Sequence, residues 1–371
     1  MLVHRRTYAD EARQGHGSTA LEMWRSDNGL DWRMAAAPRT KGNCWGSITV
    51  DGDQLAVAWS ANHGDAWRDT FFQRYDPVRE AWVGEPTCLA RGTGANDHYT
   101  PGSLVRTKTG ALVAAIGSHR RPPGPVWKHA WSLGMRWLPP GDKQWQELQQ
   151  VNVTNYGQGG NSLVHGDQVF MTFFSGPDRS VHSMRTFHAA TGQFEQAANQ
   201  PASAKAKDGA IVCGVAVCCT DATGGRTLIH LLGSTQPGQG RLCISYSREG
   251  IAPTTTFLAA DPPLRSGATV PTNYTLARGT GNQVFAYFSK EAEKHANLWQ
   301  CVIVQGKPLF EPKRVVAGVA DQFKRLNGMR TMQAITGLHV VSSGPTAKHK
   351  HGAIGVYGSA LARTAWIKQS R

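Results

Sequence analysis

Six glycine-marked turns recur along the chain at an almost constant spacing. The turn glycines are Gly52, Gly110, Gly166, Gly224, Gly281 and Gly337, separated by 58, 56, 58, 57 and 56 residues. Each turn lies between two short apolar, β-rich runs. The second run ends in a serine: Ser60, Ser118, Ser175, Ser234, Ser289 and Ser343. A constant period with a constant phase marker indicates one supersecondary unit used repeatedly.

The repeating hairpins read Gly46–Val50 with Leu55–Ser60, Ser103–Thr107 with Ala111–Ser118, and Asn161–Val164 with Gln168–Ser175. They continue as Gly214–Cys219 with Arg226–Leu232, Tyr274–Ala277 with Gln283–Ser289, and Met332–Ile335 with Leu338–Ser343. Apolar runs of this length between turn signals are strands. A weaker strand pair follows several hairpins, as in Thr70–Tyr75 with Ala81–Val83, His182–Phe187 with Gln193–Glu195, and Arg241–Tyr246 with Thr254–Phe257. About four strands per unit is the blade of a β-propeller. The expected fold is therefore all-β, a propeller of seven four-stranded blades, with six as the alternative. The 371 residues would suggest two domains by length alone. A closed ring of small sheets instead makes 1–371 a single domain. Residues 1–45 fit a partial first blade lacking one strand. A strand near Leu361–Ile367 either completes the last blade or crosses over to close the first, which would hide two sheet edges.

The net charge is +14 with the histidines neutral. Between Arg106 and Arg136 lie six Lys or Arg residues and no acid. This patch makes Arg106, Arg120, Arg121 and Lys128 candidates for holding a polyanion, either an acidic polysaccharide or nucleic acid. The seven cysteines form no CxxC pair and sit mostly in apolar strand patterns, so they read as reduced, buried thiols. The N-terminus lacks the apolar run of a signal peptide, and no stretch is apolar enough to span a membrane, so the expectation is synthesis in the cytosol. Neither a phosphate-binding loop nor a dinucleotide fingerprint is present, so no cofactor is expected. Metal-ligand spacing is absent too; Lys348–His351 reads as a solvated loop.

Asp27-Asn28-Gly29-Leu30-Asp31-Trp32 resembles the Asp-box, the S-x-D-x-G-x-T-W hairpin of bacterial neuraminidase-type repeats. Ser60-Ala-Asn62-His-Gly64-Asp-Ala-Trp67 resembles a second copy with Asn for Asp, and Thr191–Phe194 and Ser247–Gly250 resemble eroded ones. The acid or amide caps the turn, glycine takes the positive φ, and tryptophan packs beneath. The resemblance implies turns on the outside of propeller blades.

A second resemblance covers residues 96–176. Asn96-Asp97-His98-Tyr-Thr-Pro101, Ile116-Gly-Ser-His119, Val153-Thr-Asn-Tyr156 and Phe173-Phe174-Ser175-Gly176 are similar, in that order, to the ulvan-lyase type of propeller polysaccharide lyases. The resemblance implies His98 and His119 as general acid/base residues and Tyr156 as a second proton-transfer group. Abstracting a proton beside a uronate carboxylate needs a base, a donor to the leaving oxygen and a cation on the carboxylate. The family has an arginine where this chain has Ser175, and Arg179 and Arg185 lie out of phase with it. The alternative for each residue is structural: blade-end histidines bonded to backbone, and a tyrosine packed at a seam between blades.

Three functions follow from these readings. The first is a non-enzymatic binding or structural propeller, such as a nozzle or fibre hub of a virion or phage tail. It would contact nucleic acid or anionic glycan, with other subunits of an assembly or a homo-oligomeric ring as partners. The second is a lyase cleaving uronate glycans by β-elimination. The third is an intracellular protein-interaction scaffold. The missing arginine places the first ahead at this stage.

Overall fold

The computed structural model describes residues 2–6, 19–27, 31–40, 42–63, 67–92, 97–120, 130–154, 161–175, 181–195, 200–201, 211–220, 225–234, 242–248, 251–257, 274–278, 283–292, 295–310, 312–316, 328–334, 337–344, 353–358 and 364–367. Every element among them is a β-strand. Among the described residues no helix is long and apolar enough to cross a membrane. The chain divides into two compact units, Met1–Arg25 with Arg33–Pro201, and Ser26–Trp32 with Ala202–Arg371.

The first unit opens with β1 (Leu2–Arg6), β2 (Thr19–Arg25) and β3 (Arg33–Ala36), a three-stranded meander. Next come β4 (Asn43–Asp51), β5 (Gln54–His63), β6 (Trp67–Asp76), β7 (Ala81–Ala90), β8 (Asp97–Arg106), β9 (Leu112–Arg120), β10 (Ala130–Leu138) and β11 (Gln149–Thr154). These eight form one sheet made of two antiparallel meanders, β4 to β7 and β8 to β11. They are joined at a single parallel bridge, Arg68 to His98. The unit ends with β12 (Asn161–His165), β13 (Gln168–Ser175), β14 (Val181–His188), β15 (Gln193–Phe194) and β16 (Gln200–Pro201).

The second unit holds β17 (Ile211–Thr220), β18 (Arg226–Ser234), β19 (Leu242–Arg248) and β20 (Ile251–Phe257). A five-stranded sheet follows, β21 (Tyr274–Arg278), β22 (Gln283–Ala292), β23 (His295–Val304), β24 (Lys307–Pro308) and β25 (Lys313–Val316). The last sheet is β26 (Gly328–Ala334), β27 (Gly337–Gly344), β28 (Ala353–Gly358) and β29 (Thr364–Ile367). β29 pairs with β28 within this sheet, which is the completion alternative for the C-terminal strand.

All six glycine-marked hairpins are present, as β4–β5, β8–β9, β12–β13, β17–β18, β21–β22 and β26–β27. Gly52, Gly110 and Gly166 take positive φ of 63°, 97° and 60° at their turns, where an L side chain would be strained. Gly337 instead is the first residue of β27, and Gly224 and Gly281 lie outside the described residues. The phase serines end their strands only in β13 and β18; β5, β9, β22 and β27 run on past them. Most of the extra residues are polar (Asn62, His63, His119, Arg120, Lys290 and Glu291), which is why the sequence pattern stops short.

Alternation explains why both faces of these strands are apolar. In the run Ala111–Ile116, residues 111, 113 and 115 pack with Val169, Met171 and Phe173 of β13. Residues 112, 114 and 116 pack with Phe72, Leu104 and Trp145. The β8–β11 meander is thus covered on both sides, and a large aliphatic such as Ile116 contributes about 1.5–3 kcal/mol by its burial. In the second unit Ile229 and Ile244 pack in the same way against Val284, Phe288 and Ile303.

Polar latches tie successive meanders near the glycine turns. Arg106 Nε donates to Asp51 Oδ1 at 2.9 Å, and Arg74 Nε donates to Asp51 Oδ2 at 2.8 Å. Thr109 donates from its backbone N–H and its hydroxyl to Asp167 Oδ1 at 2.8 and 2.7 Å. Lys108 N–H donates to the Gly166 carbonyl at 2.9 Å. The Arg106, Thr109 and Lys108 contacts span 55 to 58 residues, about one repeat, whereas Arg74 meets Asp51 within one meander.

The Asp-box-like segments take different places. Asp27–Trp32 joins β2 to β3, and Thr191–Phe194 joins β14 to β15, with Gly192 at φ +70°. Ser60–Trp67 instead joins the second strand of its meander to the third, with His63 opposite Trp67. That position differs from the outer turn expected for it.

Candidate functional site

The end of the sheet opposite the glycine turns carries Arg68, His98 and His119. One row of cross-strand neighbours runs through the eight-stranded sheet. Asn62 of β5 lies opposite Arg68 of β6, and Arg68 opposite His98 of β8. His98 lies opposite His119 of β9, His119 opposite Trp131 of β10, and Trp131 opposite Thr154 of β11. Strands in a sheet lie about 4.8 Å apart, so the backbones of Arg68 and His119 are about 10 Å apart with His98 between them. His98 and His119, 21 positions apart in sequence, therefore occupy facing register positions.

Arg68 and His98 are buried, at 8% and 4% exposure. Arg68, Thr70 and Phe72 share one strand face by alternation, and Phe72 belongs to the core shared with Leu104 and Ile116. Thr70 Oγ1 is buried on that face with no hydrogen-bond partner. A buried, unsatisfied hydroxyl costs about 1–3 kcal/mol, so this is a place where a water or a ligand oxygen would be stabilised. Asp69 is also buried, and its Oδ1 accepts from Gly92 N–H at 2.8 Å. Burial, then the Asp69 carboxylate, pushes the half-buried Cys88 thiol above its usual range. One register step inside the histidine row, Ser118 and Ser132 join their hydroxyls in a hydrogen bond.

Arg68 is the residue that the sequence reading missed. It lies 30 residues before His98, in the preceding repeat, and only the parallel bridge between β6 and β8 brings them together. Ser175, where the lyase resemblance has an arginine, is the last residue of β13, opposite Val181, in a different sheet from Arg68. Arg185 is otherwise engaged: its Nη1 donates to the Val151 carbonyl at 3.1 Å, and its guanidinium covers the Phe194 ring at 4.2 Å. Arg106 sits at the far end of β8 from His98, in the Asp51 latch. Arg120 ends β9 opposite Asp97, one register step beyond the histidines. Tyr156, Arg121, Lys128, Arg179 and the tract 348–351 lie outside the described residues; Tyr156 is two positions past Thr154, the last residue of the row. Among the described residues no group of His, Cys, Asp or Glu is placed to hold a metal ion, and Cys88, Cys218, Cys219 and Cys301 are in no disulfide.

No protein-family model matches the chain, and no curated protein sequence is similar to it. Solved structures do resemble it. A puromycin-hydrolysing peptidase of Mycobacterium tuberculosis matches with TM-score 0.57 and 13% identity, over 94% of this chain and 50% of that one. The α-L-arabinofuranosidase Arb93A of Fusarium graminearum matches at 0.52 and 7%, over 92% of this chain and 98% of that one. An α-L-arabinanase of Penicillium chrysogenum matches at 0.50 and 10%, over 85% and 93%. The chain spans 57% of a Hadza microbial sialidase and half of the peptidase. At such identities the likeness concerns architecture alone. The antiparallel meanders and these likenesses together give this chain the β-propeller fold.

Proposed function

We propose that this protein acts on an acidic glycan at the strand-end row Arg68–His98–His119, by β-elimination beside a uronate carboxylate. The observation that carries the reading is the register that sets Arg68, His98 and His119 at neighbouring positions on three adjoining strands of the sheet. In this reading Arg68 offers its charge to the uronate carboxylate. One histidine takes the proton from the carbon next to that carboxylate, the electron pair forms the new C=C bond, and the glycosidic oxygen leaves with a proton supplied by Tyr156 or the second histidine. Placing a fixed cation where negative charge develops is worth several kcal/mol in a water-poor site.

The test is incubation with ulvan and with polygalacturonate, following the ultraviolet absorbance of the unsaturated product. Product that vanishes in His98→Ala or Arg68→Ala supports the reading; its absence with intact protein on every uronate polymer refutes the elimination. The second reading is binding of the same glycans without chemistry. Binding without product would identify it.

The expectation of a virion or tail component gains no support from the architectural neighbours, which are named as enzymes. The proposal keeps seven blades, counting the eight-stranded sheet as two at its parallel bridge, with six as the alternative. An experimental structure of the whole chain would count them.

A further inference from the structure

We infer that Asp69 is a positioning residue: at the fork where β7 leaves β6 and β8 joins it, its carboxylate anchors the departing chain and so sets where His98 meets Arg68. The inference rests on the elimination reading above and adds to it a residue that touches no substrate.

The fork is visible in the register. One edge of β6 pairs with β5 from Trp67 to Tyr75. The other edge is divided between two strands. β7 takes it in antiparallel sense from Asp76 back to Thr70, where Ala90 is the last partner. His98 of β8 takes it at Arg68, in parallel sense. Asp69 lies between these two pairings. β8 cannot follow β6 further, because the edge from Thr70 onward is filled by β7; the parallel pairing is therefore one bridge long. Ala90 and His98 are thus set about 7 Å apart along β6, two residues of strand rise. The eight steps of chain from Ala90 to His98 could span about 26 Å if extended. Chain length alone does not fix where β8 begins.

Asp69 supplies the missing constraint. It is buried, and its Oδ1 accepts from the Gly92 N–H at 2.8 Å, two residues past the end of β7 and six before His98. By alternation Asp69 shares a strand face with Phe71 and Tyr75, which pack with Val57 and Trp59. A carboxylate on an apolar face is costly unless hydrogen bonds receive it, so packing by itself would select an apolar residue here. A backbone N–H bonded to a carboxylate makes a charge-assisted bond, shorter and stronger than a neutral one. β7 is also distorted as it nears the fork. Thr70 faces Ala90 and Phe71 faces Cys88, which leaves Leu89 as an extra residue. Arg136 of β10 donates to the Cys88 and Leu89 carbonyls at 3.4 and 3.0 Å. A bulge bends its strand, and Asp69 catches the chain three residues later.

The experiment compares wild type, Asp69→Ala, Asp69→Asn and Asp51→Asn by steady-state kinetics on polygalacturonate, by thermal melting, and by the NMR signals of isotope-labelled histidine at about pH 7. His98→Gln identifies the His98 signals by their loss. A misplacement of about 1 Å at a reacting group costs about a hundredfold in rate. Asp69→Ala should therefore lower kcat about a hundredfold, with KM within about threefold, and should shift the His98 signals. Asp69→Asn keeps an oxygen acceptor and should bring both back close to wild type. Asp51→Asn, which loosens the turn end instead, should change neither. A kcat within about threefold of wild type in Asp69→Ala overturns the inference. Unshifted His98 signals, no recovery with asparagine, or an equal loss of kcat in Asp51→Asn overturn it as well. Should Asp69→Ala melt below the assay temperature, Gly92→Pro deletes the donor in place of the acceptor, and the same readings decide. An inactive wild type whose His98 signals still move in Asp69→Ala refutes the elimination alone and leaves Asp69 as the residue that places His98.

Discussion

His230 should make the second unit lose stability in mild acid. It sits mid-strand in β18, opposite Ala216 and Ser245, and is 1% exposed. Burial disfavours the imidazolium and pushes its pKa from 6.5 down to about 4. The folded state thus binds the proton less readily than the unfolded chain. The stability that depends on a neutral His230 is fully present above the unfolded value near 6.5 and is lost as pH falls toward 4. The whole shift is worth about 3 kcal/mol, of which about 2 kcal/mol is already lost between about pH 7.5 and pH 5. His230→Leu removes the titration and suits a face that carries buried Leu228 and Cys218. Urea unfolding of wild type and His230→Leu at both pH values isolates the effect, because every other titrating group is common to the two proteins. The wild type should lose about 2 kcal/mol more than the variant on acidification. An equal loss in both would refute the argument that this imidazole is held neutral by burial.

Other outcomes follow from the same structure. Arg68→Ala and His98→Ala should each lower product formation on uronate polymers by about a hundredfold or more, measured as initial rates. Asp51→Asn should lower stability by about 1–2 kcal/mol, since it weakens the partner of both Arg74 and Arg106. Arg106→Gln, at the other end of β8, should leave glycan affinity within about twofold by titration calorimetry. Gly306→Ala should cost about 2–4 kcal/mol in urea unfolding, because a Cβ at φ +76° would overlap Tyr246 Cβ. Burial pushes the Cys218 thiol up to about 11, so iodoacetamide at mildly alkaline pH should label Cys218 only after unfolding, as read by mass spectrometry.

The hairpins were legible because both of their signals are local. A glycine turn and an apolar run such as Ala111–Ile116 need no knowledge of distant residues. Strand ends were harder: His63, His119 and Arg120 look like loop residues, yet they are paired in register. The site was half legible. His98 and His119 were named from their motifs, but their facing positions required the β8–β9 register. Arg68 had no signal of its own, since its pairing with His98 is parallel and joins strands of successive repeats. Arg185 could be recognised as out of phase from sequence, while its engagement by Phe194 and Val151 could not.

The aspartate latches fasten consecutive hairpin tips at the turn end, whereas the histidine row lies at the other end of the same strands. Evolution can then rewrite what the protein recognises without touching what keeps it assembled. A laboratory library has the same freedom: diversifying the connections beyond Asn62, His119 and Thr154 should yield folded variants at high frequency, while equal diversity around Asp51 and Asp167 should yield few.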